Sequence, residues 1–424
     1  MNKFLDHRGR PRIVVTGIGM ISPLGHTADD SWDALINGRS GIGTITQFDT
    51  HRVPVKIAGE VKNFDPKDYM DFKDARRMSR ASHLAVAAAS MALTDSGLAD
   101  GLPNPERTGT LIGTGVGGFE WGDNNMVNLR TKGYKRVSPF SMPAFLANMS
   151  CHQVSLMAGS TGPISTVVAA CATGTQSIGE AAEFIRRGSA DIVIAGGTEG
   201  LVHEAAIAGF GRMGGLASNY NDDPTRAMRP FNKDREGFVV SEGAGVVILE
   251  RLDHAIARGV HIYAEFGGHA SSSDAYHMAA QSPDAAGAVR AMRWALEDAN
   301  VPLDGLDYIN AHGTSTQMND LTETMAIKSL FGKRAYQIPV SSSKSMTGHM
   351  MGATGAIEAI FSIYTLINDL IPATYNYENP DPECDLDYVP NAPRAAKVDT
   401  VLSNSFGLGG QNACLVVKKW QVSK

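Results

Sequence analysis

Ten short apolar runs rich in β-branched residues recur along this chain, and alanine-rich stretches separate many of them. Five fall at 12–16 (RIVVT), 110–113 (TLIG), 165–169 (STVVA), 191–195 (DIVIA) and 244–249 (AGVVIL). Five more follow at 262–266, 308–311, 338–341, 401–403 and 413–417. Runs this short and continuous read as strands buried on both faces. The stretches at 82–93, 179–187 and 285–299 read as helices. Strands alternating with helices imply an α/β layered fold with largely parallel sheets.

The two sets of runs look like one unit used twice. In the first, STVVAA leads into Cys171 and then TQSIGEAAEFI; in the second, IPVSSS leads into Lys344 and then SMTGHMMGATGAIEAIFSI. Each is a strand, a turn of small residues, and a Gly/Ala helix with polar residues at its head. The break falls near Gly259, giving halves 1–259 and 260–424, and 424 residues suffice for two core-sized units.

Charge and cysteine usage remove several function classes. Lys and Arg total 38 against 44 Asp and Glu, a net charge of −6, which argues against a general nucleic-acid binder. No run approaches the roughly 18 apolar residues that span a bilayer. The opening MNKFLDHRGRPR carries charge with no apolar stretch behind it, so it does not read as a signal peptide. Cys151, Cys171, Cys384 and Cys414 lack C-x-x-C spacing, which disfavours a disulfide framework and a zinc site. The expectation is a reducing, cytoplasmic compartment with neither metal nor cofactor.

Cys171 lies in AACATGT, where a strand should hand over to a helix. The partial positive charge of a helix start favours thiolate, so its pKa is expected to fall below the free value of about 8.5. Small neighbours leave room for a substrate, although a buried structural cysteine fits the same segment. His312 closes the run DYINA and is followed by Gly-Thr-Ser-Thr, which suits a residue facing a cleft. His349 lies five residues after Lys344, and all three could converge on one thiol. Taken singly, each histidine also reads as structural. The segment GTGVGG at 113–118 fits a dinucleotide fingerprint, but no strand with an acidic end follows it, so a nucleotide is discounted. NSFGLGGQN at 404–412 sets Phe406 beside three glycines, which suits a mobile gate, an oxyanion donor or a plain tight turn.

Together ACATGT, AHGTST, KSMTGH and NSFGLGG have the order and spacing of a β-ketoacyl-[acyl-carrier-protein] synthase. The chain resembles the type II enzymes of fatty-acid synthesis over nearly its whole length, including IVVTGIGMISPLG, GFGRM, RPFNKDREGFVVSEGAG, SSSDAYHM and NPDPECDLDYVP. The resemblance implies a duplicated thiolase fold, layered α-β-α-β-α with two mixed, largely parallel sheets. It implies that Cys171 accepts the acyl group, with an oxyanion hole from the Cys171 and Phe406 backbone N–H groups. His312 and His349 then bind the malonyl thioester and stabilise its enolate, and Lys344, paired with Glu358, orients the site. Thr314 and Thr316 match pantetheine contacts, and Val116 matches a wall of the acyl pocket.

The implied partners are acyl- and malonyl-loaded acyl carrier protein and a second copy of the chain. Lys73, Arg76 and Arg77 match carrier-docking positions; with Arg80 they are expected on one face of a helix, at i, i+3, i+4 and i+7. Departures from the family pattern are Gln317 and Asn319 in HGTSTQMND, and Leu408 and Gln411 in the C-terminal loop. NDLTET resembles polyketide ketosynthases, which keeps that pathway as an alternative. Two other readings are a non-condensing chain-length partner, which would lack the cysteine, and a coenzyme A thiolase, which would pair one histidine with a second cysteine.

Overall fold

The computed structural model describes residues 3–421. All ten apolar runs form strands: β1 (Ile13–Ile21), β2 (Thr108–Gly113), β3 (Ile164–Ser165), β4 (Ile192–Glu199), β5 (Gly243–Arg251), β6 (Ala264–Ser273), β7 (Tyr308–Asn310), β8 (Val340–Ser341), β9 (Thr400–Gly407) and β10 (Gln411–Lys419). Several outrun the apolar stretch because glycine and small polar residues continue the pairing. In β1, Gly17 and Gly19 let a helix approach so closely that a Cβ would meet Ala92 O at 2.4 Å and Ala88 O at 1.9 Å. β3 is shorter than STVVA, because residues 166–169 leave the sheet before the turn that carries Cys171.

Neighbouring strands run β8-β7-β9-β10-β6-β1-β5-β4-β2-β3. In the first five, β2 pairs parallel with β3 and β4, while β4–β5 and β5–β1 are antiparallel. The second five repeat this: β7 pairs parallel with β8 and β9, while β9–β10 and β10–β6 are antiparallel. One connectivity is therefore used twice. The sheet is mixed, as expected, with parallel pairing confined to the outer strands of each half. The two expected sheets are the two five-stranded half-sheets, and they join edge to edge where β1 and β6 pair antiparallel over Ile13–Val15 and Ala264–Phe266.

Six longer helices complete the layers: α1 (Arg80–Asp95), α2 (Phe119–Lys132), α3 (Thr173–Arg186), α4 (Ala286–Asp298), α5 (Gln317–Phe331) and α6 (Thr354–Asn368). α1 covers the outer face of the first five strands, and α4 the outer face of the second five with α5 packed on it. α3 and α6 lie between the two half-sheets and touch strands of both, giving five layers in the order α-β-α-β-α. Their apolar faces (Ile178, Ile185, Ile357, Ile360) share one core with Val193 of β4 and Leu415 of β10. The heads of these helices nearly touch, since a Cβ on Gly174 would lie 2.5 Å from Ala356 N. That close approach brings the segment before α3, with Cys171, against the segment before α6, with Lys344 and His349.

Candidate active site

Cys171 sits in a tight turn, Ala170–Ala172, directly ahead of α3, and is 8% exposed. Ala170 adopts a left-handed backbone (φ 48°), and the Thr173 hydroxyl accepts the Ala169 N–H at 2.8 Å, which fixes the turn. Burial pushes the thiol up to about 11, and the Leu408 backbone and the Lys344 charge only partly oppose it. The expected fall in pKa is thus overturned in the resting site: desolvation outweighs the helix start. In the resting site Cys171 is therefore a neutral thiol.

Two imidazoles face this thiol. The Cys171 sulfur and a ring nitrogen of each of His312 and His349 lie within 4.8 Å of one another. The two histidine rings meet edge-on with centroids 5.5 Å apart. Burial and the Lys344 charge hold both well below the usual histidine value, and His349 lowers His312 further. Both are therefore neutral near pH 7 and able to accept a proton or bind an anionic oxygen. His349 Nδ1 is engaged by the Thr354 hydroxyl at 3.0 Å, while His349 Nε2 and His312 Nδ1 are buried with no hydrogen-bond partner among the described residues. The turn carrying His312 is held by Glu323 of α5, which accepts the His312 and Gly313 amides at 2.8 Å each and Asn404 Nδ2 at 3.1 Å.

Lys344 and Glu358 are both fully buried, and Lys344 Nζ donates to Glu358 Oε1 at 2.6 Å. Phe406, at the end of β9, lies with its ring 5.8 Å from that of His312. Gly407 must lack a side chain, since a Cβ would come within 2.7 Å of Ala169 O and 3.2 Å of Cys171 N. Cys171, His312, His349, Phe406, Thr314 and Thr316 all line one cavity of about 420 Å³. Thr314 and Thr316 share a hydroxyl hydrogen bond of 3.0 Å at its wall. A thiol with two imidazoles is also a set that could grip one metal ion.

Other expected site residues lie elsewhere. Val116 is not among the cavity-lining residues; it sits on the turn after β2, 37% exposed. Lys73, Arg76 and Arg77 occupy the short helix Phe72–Ala75 and its end, away from the cavity, with Arg77 stacked on the Phe140 ring. The four-residue basic face does not form. Ser79 caps a new helix, and Arg80 turns inward to a bidentate pair with buried Glu242 at 2.8 and 3.0 Å. The glycine-rich turn at 113–118 cradles no phosphate site, because its Gly115 and Val116 amides are taken by the carboxylate of Glu199. Glu199 and Glu323 were not foreseen. The one signal for Glu199 is an acid closing an otherwise apolar strand.

A duplicated five-stranded unit with a thiol and two histidines at the junction of its middle helices defines a thiolase-fold condensing enzyme. The chain matches the model of the beta-ketoacyl synthase N-terminal domain over residues 10–255 and of its C-terminal domain over 263–378, and it belongs to the β-ketoacyl synthase family. It is 48% identical over 412 residues to 3-oxoacyl-[acyl-carrier-protein] synthase 2 of Synechocystis sp., covering 97% of this chain and 99% of that one. The synthase of that name from Staphylococcus aureus is 46% identical over 410 residues, with the same coverage. Among solved structures, the type II polyketide complex AntDE:AntF, an acyl-carrier protein with its ketosynthase bound to the hexaketide, is similar with a TM-score of 0.89. That match is at 33% identity and covers 97% of this chain and all of that one.

Proposed function

We propose that this chain extends an acyl group held on Cys171 by two carbons, as a β-ketoacyl-[acyl-carrier-protein] synthase of fatty-acid elongation. The observation that carries the reading is the Cys171 thiol within 4.8 Å of two neutral, buried imidazoles in one cavity. A histidine takes the thiol proton, the sulfur attacks the acyl thioester, and the carrier thiol leaves with a proton. Malonyl-carrier protein then enters. Its carboxyl–carbon bond breaks, carbon dioxide departs, and the electron pair moves into an enolate whose oxygen is stabilised by His312 and His349. The enolate carbon attacks the acyl carbonyl, aided by the Cys171 and Phe406 amides, and expels the Cys171 thiolate. The Lys344–Glu358 pair holds the charge pattern of the site, and Phe406 gates the acyl channel. Thr314 and Thr316 bind the pantetheine arm, and Val116, outside the resting cavity, bounds the acyl chain once Phe406 has moved aside.

The carrier protein docks through Lys73, Arg76 and Arg77. The chain works as a homodimer in the cytoplasm, its two halves dividing at 259/260. In support of the dimer, β3 is an exposed sheet edge (Ile164 52% exposed), and α2 has no buried residue while presenting Met126 and Val127. Four free cysteines support a reducing compartment. The polyketide alternative rests on NDLTET and the AntDE:AntF likeness, at lower identity than the synthase relatives. Thiolase chemistry loses its second cysteine, because Cys414 is buried in β10 against Asn404. The test is mass spectrometry after mixing with acyl-carrier protein, then product analysis with malonyl-carrier protein. One adduct on Cys171 and a product two carbons longer are expected; an adduct on Cys151, Cys384 or Cys414 overturns the reading.

A further inference from the structure

Glu199 closes β4 and is completely shielded from solvent. Its Oε1 accepts the Thr114 hydroxyl at 3.0 Å and the Val116 amide at 3.4 Å. Its Oε2 accepts the Gly115 amide at 2.8 Å and the Gly352 amide at 3.1 Å. Three of these donors belong to the turn after β2; the fourth belongs to the turn between His349 and α6. No salt bridge reaches this carboxylate among the described residues, so these four donors are what compensate its burial.

Both turns are cut to fit the carboxylate. A Cβ on Gly115 would sit 2.6 Å from Oε2, and one on Gly352 would sit 2.9 Å from Oε2 and 2.4 Å from Gly115 N. The residue before Gly352 is Met351, which lines the Cys171 cavity in a left-handed conformation (φ 44°). That conformation is strained for any residue with a side chain and persists only where its surroundings impose it. Two residues after Gly352, Thr354 holds the His349 ring.

We propose that Glu199 is a positioning residue that clamps the Val116 turn to the Met351–Gly352 turn and so fixes the wall beside the acyl chain on Cys171. The inference rests on Cys171 being the acyl acceptor. Its role is geometric, because the charge of Glu199 opposes formation of the Cys171 thiolate. Burial also pushes the Glu199 carboxyl up to about 7.

Two variants separate reach from charge. Glu199→Asp keeps the charge and is too short to hold both turns. Glu199→Gln keeps the length: its carbonyl can accept the Gly115 and Gly352 amides, and its NH₂ can donate to the Thr114 oxygen. The measurement is kcat and KM over acyl-carrier proteins from hexanoyl to hexadecanoyl, with iodoacetamide labelling of Cys171 alongside. In Glu199→Asp the longest donor is expected to lose about fivefold or more in kcat/KM relative to the shortest. Glu199→Gln is expected to keep the wild-type length profile while Cys171 labels faster near neutral pH. A wild-type profile in Glu199→Asp, or an equal loss in Glu199→Gln, overturns the proposal. If Glu199→Asp does not fold, Thr114→Val deletes one contact of the clamp: a shift in the same direction supports it and no shift overturns it. Absence of any acyl adduct on wild-type Cys171 sinks the functional reading instead, whereas an adduct with unmoved profiles sinks this clamp alone.

Discussion

Changing Glu358 to glutamine would strand the Lys344 ammonium inside the protein. Lys344 is 0% exposed and its Nζ lies 2.6 Å from Glu358 Oε1, a carboxylate atom that the Ser343 hydroxyl also reaches at 3.3 Å. At that distance the gross attraction is about 6 kcal/mol with an effective dielectric of 20. Most of it offsets the desolvation of the two charges, so the pair as a whole adds little net stability. Removing one partner is different: the other keeps its desolvation cost, and about 3–5 kcal/mol is lost. Glu358→Gln is therefore expected to lower unfolding stability by that amount in urea titrations. Lys344→Met combined with Glu358→Leu should recover most of the loss, because the packing volume remains and both charges are gone. Condensation should fail in the double variant even though it is stable, which separates the structural role of the pair from its chemical one. Additive losses in this cycle, or a Glu358→Gln protein as stable as wild type, would refute the reasoning.

Phe406→Ala should slow acylation of Cys171 or blur the order of acyl and malonyl binding, read by single-turnover mass spectrometry; an unchanged acylation rate rejects the gate. Arg76→Glu with Arg77→Glu should raise KM for carrier-protein substrates severalfold and leave a small pantetheine thioester unaffected, with the difference shrinking as salt is added. Asp298 accepts from Arg8, Arg10 and Arg186; burial pushes its carboxyl up, but Arg186, Arg10 and the His269 amide outweigh burial and hold it down at about 2. A folded pKa below the unfolded value of 3.8 contributes stability above pH 4 that is lost as pH falls through about 2, worth about 2 kcal/mol. Asp298→Asn should therefore lower stability at pH 7 by about 2 kcal/mol and flatten the acid limb of an unfolding series; parallel curves for both proteins would contradict it.

Strand positions were legible because β-branched runs of this length have few other uses, and the duplication was legible because the two strand–turn–helix units repeat their chemistry. Strand order was not, since it depends on which backbone edges meet. Nothing in the run at 12–16 reveals that β1 pairs on one side with β5 and, for three residues, with β6. Cys171, His312, Lys344 and His349 stood out by their small-residue settings. The pKa of Cys171 did not, because local sequence shows a helix start but not the burial that overrides it. Arg80 misled in the same way: helical spacing predicts a shared face, and a capping serine one residue earlier ends it. Glu199 and Glu323 escaped because a buried acid is recognised by the amides it meets: those of Glu199 come from turns far off in sequence, and those of Glu323 meet it only because α5 folds back over the turn that precedes it.

The middle helices also govern how the molecule comes apart. α3 belongs by sequence to the first half and α6 to the second, yet each buries its apolar face against strands of both. Neither half can present a finished surface without the other, so a chain cut at 259/260 should give two fragments that stay molten alone and become ordered only when mixed. Heating the intact chain should accordingly melt both halves in one transition, although the sequence reads as two similar units laid end to end.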